Sequence, residues 1–136
     1  MALEATLLVE LEPPVSFTCA NGTGIEKGAI LKIADPNTVS VAGTDNDAVI
    51  GIAAEEKVAS DGNTQIGVYL RGVFKGTCGA AGATAGDYLI IDSSTGDDNE
   101  IVTADATSAN ILGMALETAT DLETFKFYLN PCSGQP

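Results

Sequence analysis

One five-residue pattern constrains this chain more than any other feature, because it occurs twice. Val49-Ile50-Gly51-Ile52-Ala53 and Ile111-Leu112-Gly113-Met114-Ala115 have the same form: two large apolar residues, a glycine, a third large apolar residue and an alanine. A run this apolar reads as a buried strand, and a glycine inside it marks a bulge or the close approach of another backbone. The surroundings repeat as well. Gly28 leads into Ile30-Leu31-Lys32-Ile33 as Gly86 leads into Tyr88-Leu89-Ile90-Ile91, and Ile66-Gly67-Val68-Tyr69-Leu70 returns as Phe125-Lys126-Phe127-Tyr128-Leu129. Gly28 and Gly86 are 58 residues apart, Gly51 and Gly113 are 62 apart, and Leu70 and Leu129 are 59 apart. Landmarks in the same order at nearly one offset indicate an internal duplication, or two subdomains that solve one packing problem. Two copies are too few for a solenoid, which leaves a compact barrel or sandwich.

The rest of the chain reads as short strands between turns. Val15-Ser16-Phe17-Thr18 is a strand, and Asn21-Gly22-Thr23-Gly24 is turn-rich. Asp35-Pro36-Asn37 turns the chain into Thr38-Val39-Ser40-Val41, which alternates and pairs back as a hairpin. Arg71-Gly72-Val73-Phe74-Lys75 extends or kinks the strand before it, and Glu100-Ile101-Val102-Thr103 is the return strand of the second half. The longer polar turn from Asp92 to Asn99 stands where Asp35-Pro36-Asn37 stands in the first half. At the start, Leu7, Val9 and Leu11 share one strand face, with Thr6, Glu10 and Glu12 on the other and Leu8 out of pattern. Pro13-Pro14 then stops any ladder, since neither proline donates a backbone hydrogen bond. Residues 1–14 are therefore read as an arm, with an ordinary first strand packed on the core as the alternative. Residues 15–130 are one domain, with pseudo-repeats of about 15–72 and 73–130, and residues 131–136 are a loose tail. The expected fold class is all-β, or mainly β with one short helix.

Charge and composition narrow the function. Six basic residues face nineteen acidic ones, for a net charge of −13, a balance that repels nucleic acid and anionic membrane. It is read first as a solvated surface, and otherwise as complementarity to a basic partner or tolerance of high salt. Three cysteines, Cys19, Cys78 and Cys132, are an odd number with no CxxC pair, and with no histidine in the chain neither a disulfide framework nor a zinc site is expected. Residues 1–12 carry three glutamates and no basic start, so no secretory leader is expected. No run approaches the roughly 20 apolar residues that span a bilayer. The expected setting is a reducing cytoplasm.

The chemical inventory is thin. Without histidine there is no imidazole base or triad, and a cysteine nucleophile would need a base or an electropositive pocket in a cation-poor chain. The loop of small residues at 76–86 lacks the ending and the following helix of a phosphate loop, and Asp87 adjoins it. Asp92, Asp97, Asp98 and Glu100, or Asp45 with Asp47, are candidate calcium ligands without the EF-hand spacing, and read better as solvated hairpin tips. A carboxylate pair for glycoside hydrolysis would want aromatic platforms, and tryptophan is absent. No catalytic residue, cofactor or metal is expected.

Laid end to end, these motifs resemble the phage capsid decoration, or cement, proteins. The resemblance rests on Lys27-Gly28-Ala29-Ile30-Leu31-Lys32, Ala48-Val49-Ile50-Gly51-Ile52-Ala53 and the strand running into Arg71-Gly72-Val73-Phe74. It continues through Ala85-Gly86-Asp87-Tyr88-Leu89 to Asn110-Ile111-Leu112-Gly113-Met114-Ala115, and spans about residues 15–129. It implies a β-tulip-like structural virion protein related to the lambda-type head decoration proteins. Such a protein, made in the host cytoplasm, binds the outside of an icosahedral head at local symmetry positions. There it braces the expanded shell against genome pressure, commonly as a homotrimer, with a dimer as the alternative. The implied partner is the major capsid protein, with no nucleic acid or membrane. The residues expected to meet the shell are Thr6, Leu7, Leu8, Val9, Glu10, Leu11 and Glu12, through strand addition. The competing class is a secreted or surface-displayed β-rich adhesion or glycan-binding module, which would predict a secretion signal or aromatic-lined sugar sites. An enzyme with an acid pair or a metal would predict loss of activity on changing Asp97 or Asp98.

Overall fold

The computed structural model describes residues 4–44, 47–92, 99–104 and 110–131. Among them are eleven strands and no helix: β1 (Thr6–Glu10), β2 (Val15–Thr18), β3 (Ile30–Asp35), β4 (Thr38–Val41), β5 (Val49–Ala53), β6 (Gln65–Tyr69), β7 (Gly72–Thr77), β8 (Tyr88–Ile91), β9 (Ile101–Thr103), β10 (Gly113–Ala115) and β11 (Thr124–Leu129). The all-β expectation holds. β2, β4, β3, β5 and β6 close a barrel, and β1, β7, β11, β10, β8 and β9 form a six-stranded sheet in that order.

The two halves share one wiring. In the first, β3 pairs β4 and β5, β5 pairs β6, β6 pairs β2, and a single parallel bridge from Thr18 to Thr38 closes the ring. In the second, β8 pairs β9 and β10, β10 pairs β11, and β11 pairs β7. A parallel bridge from Cys78 to Ile101 falls one residue beyond the position equivalent to the Thr18–Thr38 bridge. Local details recur: Gly28 and Gly86 both have positive φ (91° and 92°), and each donates its N–H to the carbonyl of the alanine ending the five-residue pattern, Ala53 or Ala115. Glu55 accepts the Gly67 N–H, and Glu117 accepts the Lys126 N–H. Asn37 and Asn99 both take positive φ, as do Ser60 and Leu122, each pair 62 residues apart. The offset changes mainly at two tips: the β8–β9 turn is longer than the β3–β4 turn, and the β10–β11 loop is shorter than the β5–β6 loop.

The glycine of the repeated pattern has one cause in both halves. A Cβ at Gly51 would overlap the Tyr69 carbonyl oxygen, and one at Gly113 would overlap that of Tyr128, so only glycine lets the neighbouring strand approach. In the first half the ladder also shifts register between Leu31 and Lys32 opposite this motif, a bulge of the kind expected there.

Two cores result. Phe17, Cys19, Ile25, Leu31, Val39, Ile66 and Val68 are among the side chains that fill the barrel. A larger cluster holds Phe74, Leu89, Ile101, Phe125, Phe127 and Leu129 of the second half together with Ile30, Val49 and Ile52 of the first. The halves thus stack head to tail, the outer face of the barrel lying on the core of the sheet, with Tyr69 edge-on to Phe74 at 5.9 Å. Asn99, fully buried, fastens the join: its carboxamide oxygen accepts the Ile30 N–H (2.9 Å), and its NH₂ donates to the carbonyls of Ala42 (2.8 Å) and Ile30 (3.2 Å).

Candidate functional site

The buried reactive groups are structural. Cys19 and Cys78 occupy equivalent positions, 59 residues apart, and both thiols are buried, which pushes their pKa up and leaves them un-ionised. Cys132 lies outside the described residues. Lys57 is buried and donates to the carbonyls of Asn21 (2.9 Å) and Val58 (3.0 Å) and to the Asp61 carboxylate (3.2 Å), so its ammonium ties two loops together. The Asn63 N–H and then the Lys57 ammonium hold Asp61 below its ordinary pKa.

The 76–86 loop and Asp47 are likewise tied into the fold. In the 76–86 loop, the N–H of Ala83 goes to the Ala119 carbonyl, that of Thr84 to the Thr103 hydroxyl and that of Ala85 to the Thr118 hydroxyl. No row of free donors is left to cradle a phosphate there. Asp47 accepts the N–H groups of Gly43 (3.0 Å) and Thr44 (2.8 Å) and sits 3.6 Å from the Lys32 ammonium, so it closes its own turn. Asp45, Asp97 and Asp98 lie outside the described residues, and among the described ones no group of three or more metal-ligating side chains gathers.

The surface around β1 is different. The Ala5 N–H donates to the Gly28 carbonyl (2.8 Å), which seats the segment on the first half, and β1 then runs antiparallel along β7 of the second. Leu7 faces the core, opposite Phe74. The pairing slips between Leu7 and Val9, which displaces Leu8, the residue out of pattern in the sequence. Leu8, Val9 and Leu11 are 45%, 50% and 49% exposed. β1 ends the sheet order, so its far edge is unpaired among the described residues. Of the seven residues expected to form a contact surface, Thr6, Leu8, Val9, Glu10 and Leu11 are exposed and Leu7 and Glu12 are half-buried.

Just beyond β1, Glu12, Ile50, Leu70, Arg71, Asn130 and Pro131 line an open groove of about 210 Å³. Arg71 donates to the Tyr128 hydroxyl (3.1 Å) and lies 5.8 Å from the centre of its ring. No spacing along the chain unites these groove residues. They meet where the chain after β1, β5, the β6–β7 junction and the chain after β11 come together.

Residues 10–129 match the family model for phage cement proteins, so most of β1 lies ahead of the match. Among solved structures, the chain is similar to the N base of the head fiber gp8.5 of bacteriophage phi29. The TM-score is 0.57 at 22% identity, over 86% of this chain and 94% of that one, a likeness of fold. No curated protein matches. A family match over most of the chain settles what the eleven strands and their exposed edge leave open: the chain belongs to the phage cement protein family, whose members are structural proteins of the phage capsid.

Proposed function

We propose that this protein binds the outer surface of an icosahedral phage head and stabilises the expanded shell against internal genome pressure, with the major capsid protein as its partner. The observation that carries this reading is β1, an edge strand whose far side is unpaired among the described residues, with three exposed aliphatic residues, Leu8, Val9 and Leu11. Unpaired strand edges recruit other strands through main-chain hydrogen bonds, and apolar side chains beside such an edge add affinity. A lattice of shell subunits repeats the partner strand many times. An oligomer of this protein, a trimer or else a dimer, would engage several subunits at once, and avidity would exceed any one contact.

The test is occupancy on emptied, expanded heads. Deleting residues 2–12 should abolish it, and undiminished occupancy would sink the proposal. Because Ala5 and Leu7 also pack on the core, a second variant is needed that leaves them in place. Leu8→Asp with Leu11→Asp keeps the β1–β7 pairing and should cut occupancy at least tenfold, with the melting temperature unchanged.

A further inference from the structure

The duplication makes one outer face apolar in each half, and the described residues cover that face in the first half only. Ile30, Ile52 and Tyr69 pair in a row across β3, β5 and β6, and this row packs on the core of the second half. The equivalent row across β8, β10 and β11 is Tyr88, Met114 and Tyr128, and the register continues it through Val73 on β7 to Val9 on β1. Here no described part of the chain lies on top. Tyr88 is 44% exposed, and Met114, Tyr128 and Val73 are half-buried. Five strands thus present one apolar row to solvent, built from the tyrosine, methionine and aliphatic side chains that suit protein contacts.

Charge identifies what fits it. Lys75 and Lys126 are paired across β7 and β11, two residues from Val73 and Tyr128 and so on the same face. Arg71 lies against Tyr128 at the other side of the row. Three of the six cations of a chain with net charge −13 therefore flank this row, offset in part by Glu12 beside Arg71 and Glu117 at the Lys126 backbone. On the first half, by contrast, Glu4, Glu26 and Glu56 stand close enough for Glu26 to share a hydrogen bond with Glu4 and feel the charge of both.

We propose that the outer face of the six-stranded sheet docks a second copy of this chain, the apolar row and its flanking cations meeting the acidic surface of that copy's first half. Lys75 and Lys126 disfavour the face meeting itself across a two-fold axis. The contact is then heterologous, and such a contact repeated by rotation closes a ring. The proposal rests on the reading that the protein works as an oligomer, and it names the surface that builds one.

The test uses the full chain in native mass spectrometry and light scattering, with Met114→Glu and Tyr88→Glu variants checked for unchanged melting. Each substitution should weaken association roughly thirtyfold, as for a residue at an interface centre. Zero-length carbodiimide coupling should join Lys75 or Lys126 of one copy to a first-half carboxylate of another. If the wild type stays monomeric at high concentration, both this proposal and the oligomer reading fall. If both variants assemble like the wild type and the links map elsewhere, the face is wrong and the oligomer reading stands.

Discussion

At Gly51 and Gly113 the space for a methyl group is already filled by the carbonyl of Tyr69 or Tyr128. Gly51→Ala or Gly113→Ala must push a paired strand away, and each should cost about 3 kcal/mol, read as a lower denaturation midpoint. The need for glycine at these two positions was legible in the sequence, because a glycine that interrupts an apolar run gives up a buried side chain, and a close backbone is what takes its place. Asn99 was not legible. It sits at the end of a polar turn and looks like a solvated tip residue, yet its side chain bridges the two halves through Ile30 and Ala42. Asn99→Ala strips the Ile30 N–H and the Ala42 carbonyl of their bonds to Asn99, the Ile30 carbonyl keeping the Ala42 N–H, and should cost roughly 3 kcal/mol. Asn99→Asp should be no better, since a carboxylate cannot donate to the two carbonyls. Chemical denaturation of both variants checks this.

Among the elements, strands bounded by strong turn signals lie where the residues place them. Residues 15–18, 38–41, 49–53 and 88–91 are β2, β4, β5 and β8 without a shift. Residues 71–75 are the instructive case. Their pattern reads as an extension or kink of the strand before them, but 72–77 form β7, which leaves the barrel and becomes the counterpart of β2 in the second half. Strand alternation sets which face a residue takes, whereas the sheet it joins depends on what is free to pair. The Lys57 loop shows a similar limit. Its lysine looks like one more solvated charge, but the longer β5–β6 loop folds over it and supplies the Val58 carbonyl and the Asp61 carboxylate, while Asn21 adds a second carbonyl from the β2–β3 loop. Lys57→Met removes those bonds and should destabilise the protein by about 2 kcal/mol in thermal melts, with the β11 side unaffected in hydrogen exchange.

For the whole molecule, the acidic balance has a local consequence that pH exposes. The hydrogen bond that protonated Glu26 donates to Glu4, then the charge of Glu4, and to a lesser degree burial and Glu56, raise the pKa of Glu26 above its ordinary 4.5. A carboxyl with a raised folded-state pKa holds its proton more tightly when folded. Its contribution to stability is therefore full below the ordinary value and is lost as pH rises through the raised one. Glu26→Gln should melt higher than the wild type at neutral pH, and the difference should vanish as pH falls below 4.5. Melting curves across this range give the sign. An unchanged difference at all pH values would show that Glu26 is not crowded.

The sequence by itself determined that the chain is all-β, carries one motif pattern twice and shows no visible catalytic set, because apolar periodicity, glycine placement and the lack of histidine are local properties. The motif resemblance read from the same residues matches the family found by comparison. Tertiary structure decided the rest. It alone shows that β2 to β6 close into a barrel, that the second half carries a corresponding parallel bridge from Cys78 to Ile101, and that only the second half takes the N-terminal strand on its β7 edge. It also shows that the outer row of the first half is buried while its counterpart in the second stays open among the described residues. Two similar stretches of chain carry similar strand patterns, but only one can lie on top of the other, and that asymmetry comes from packing.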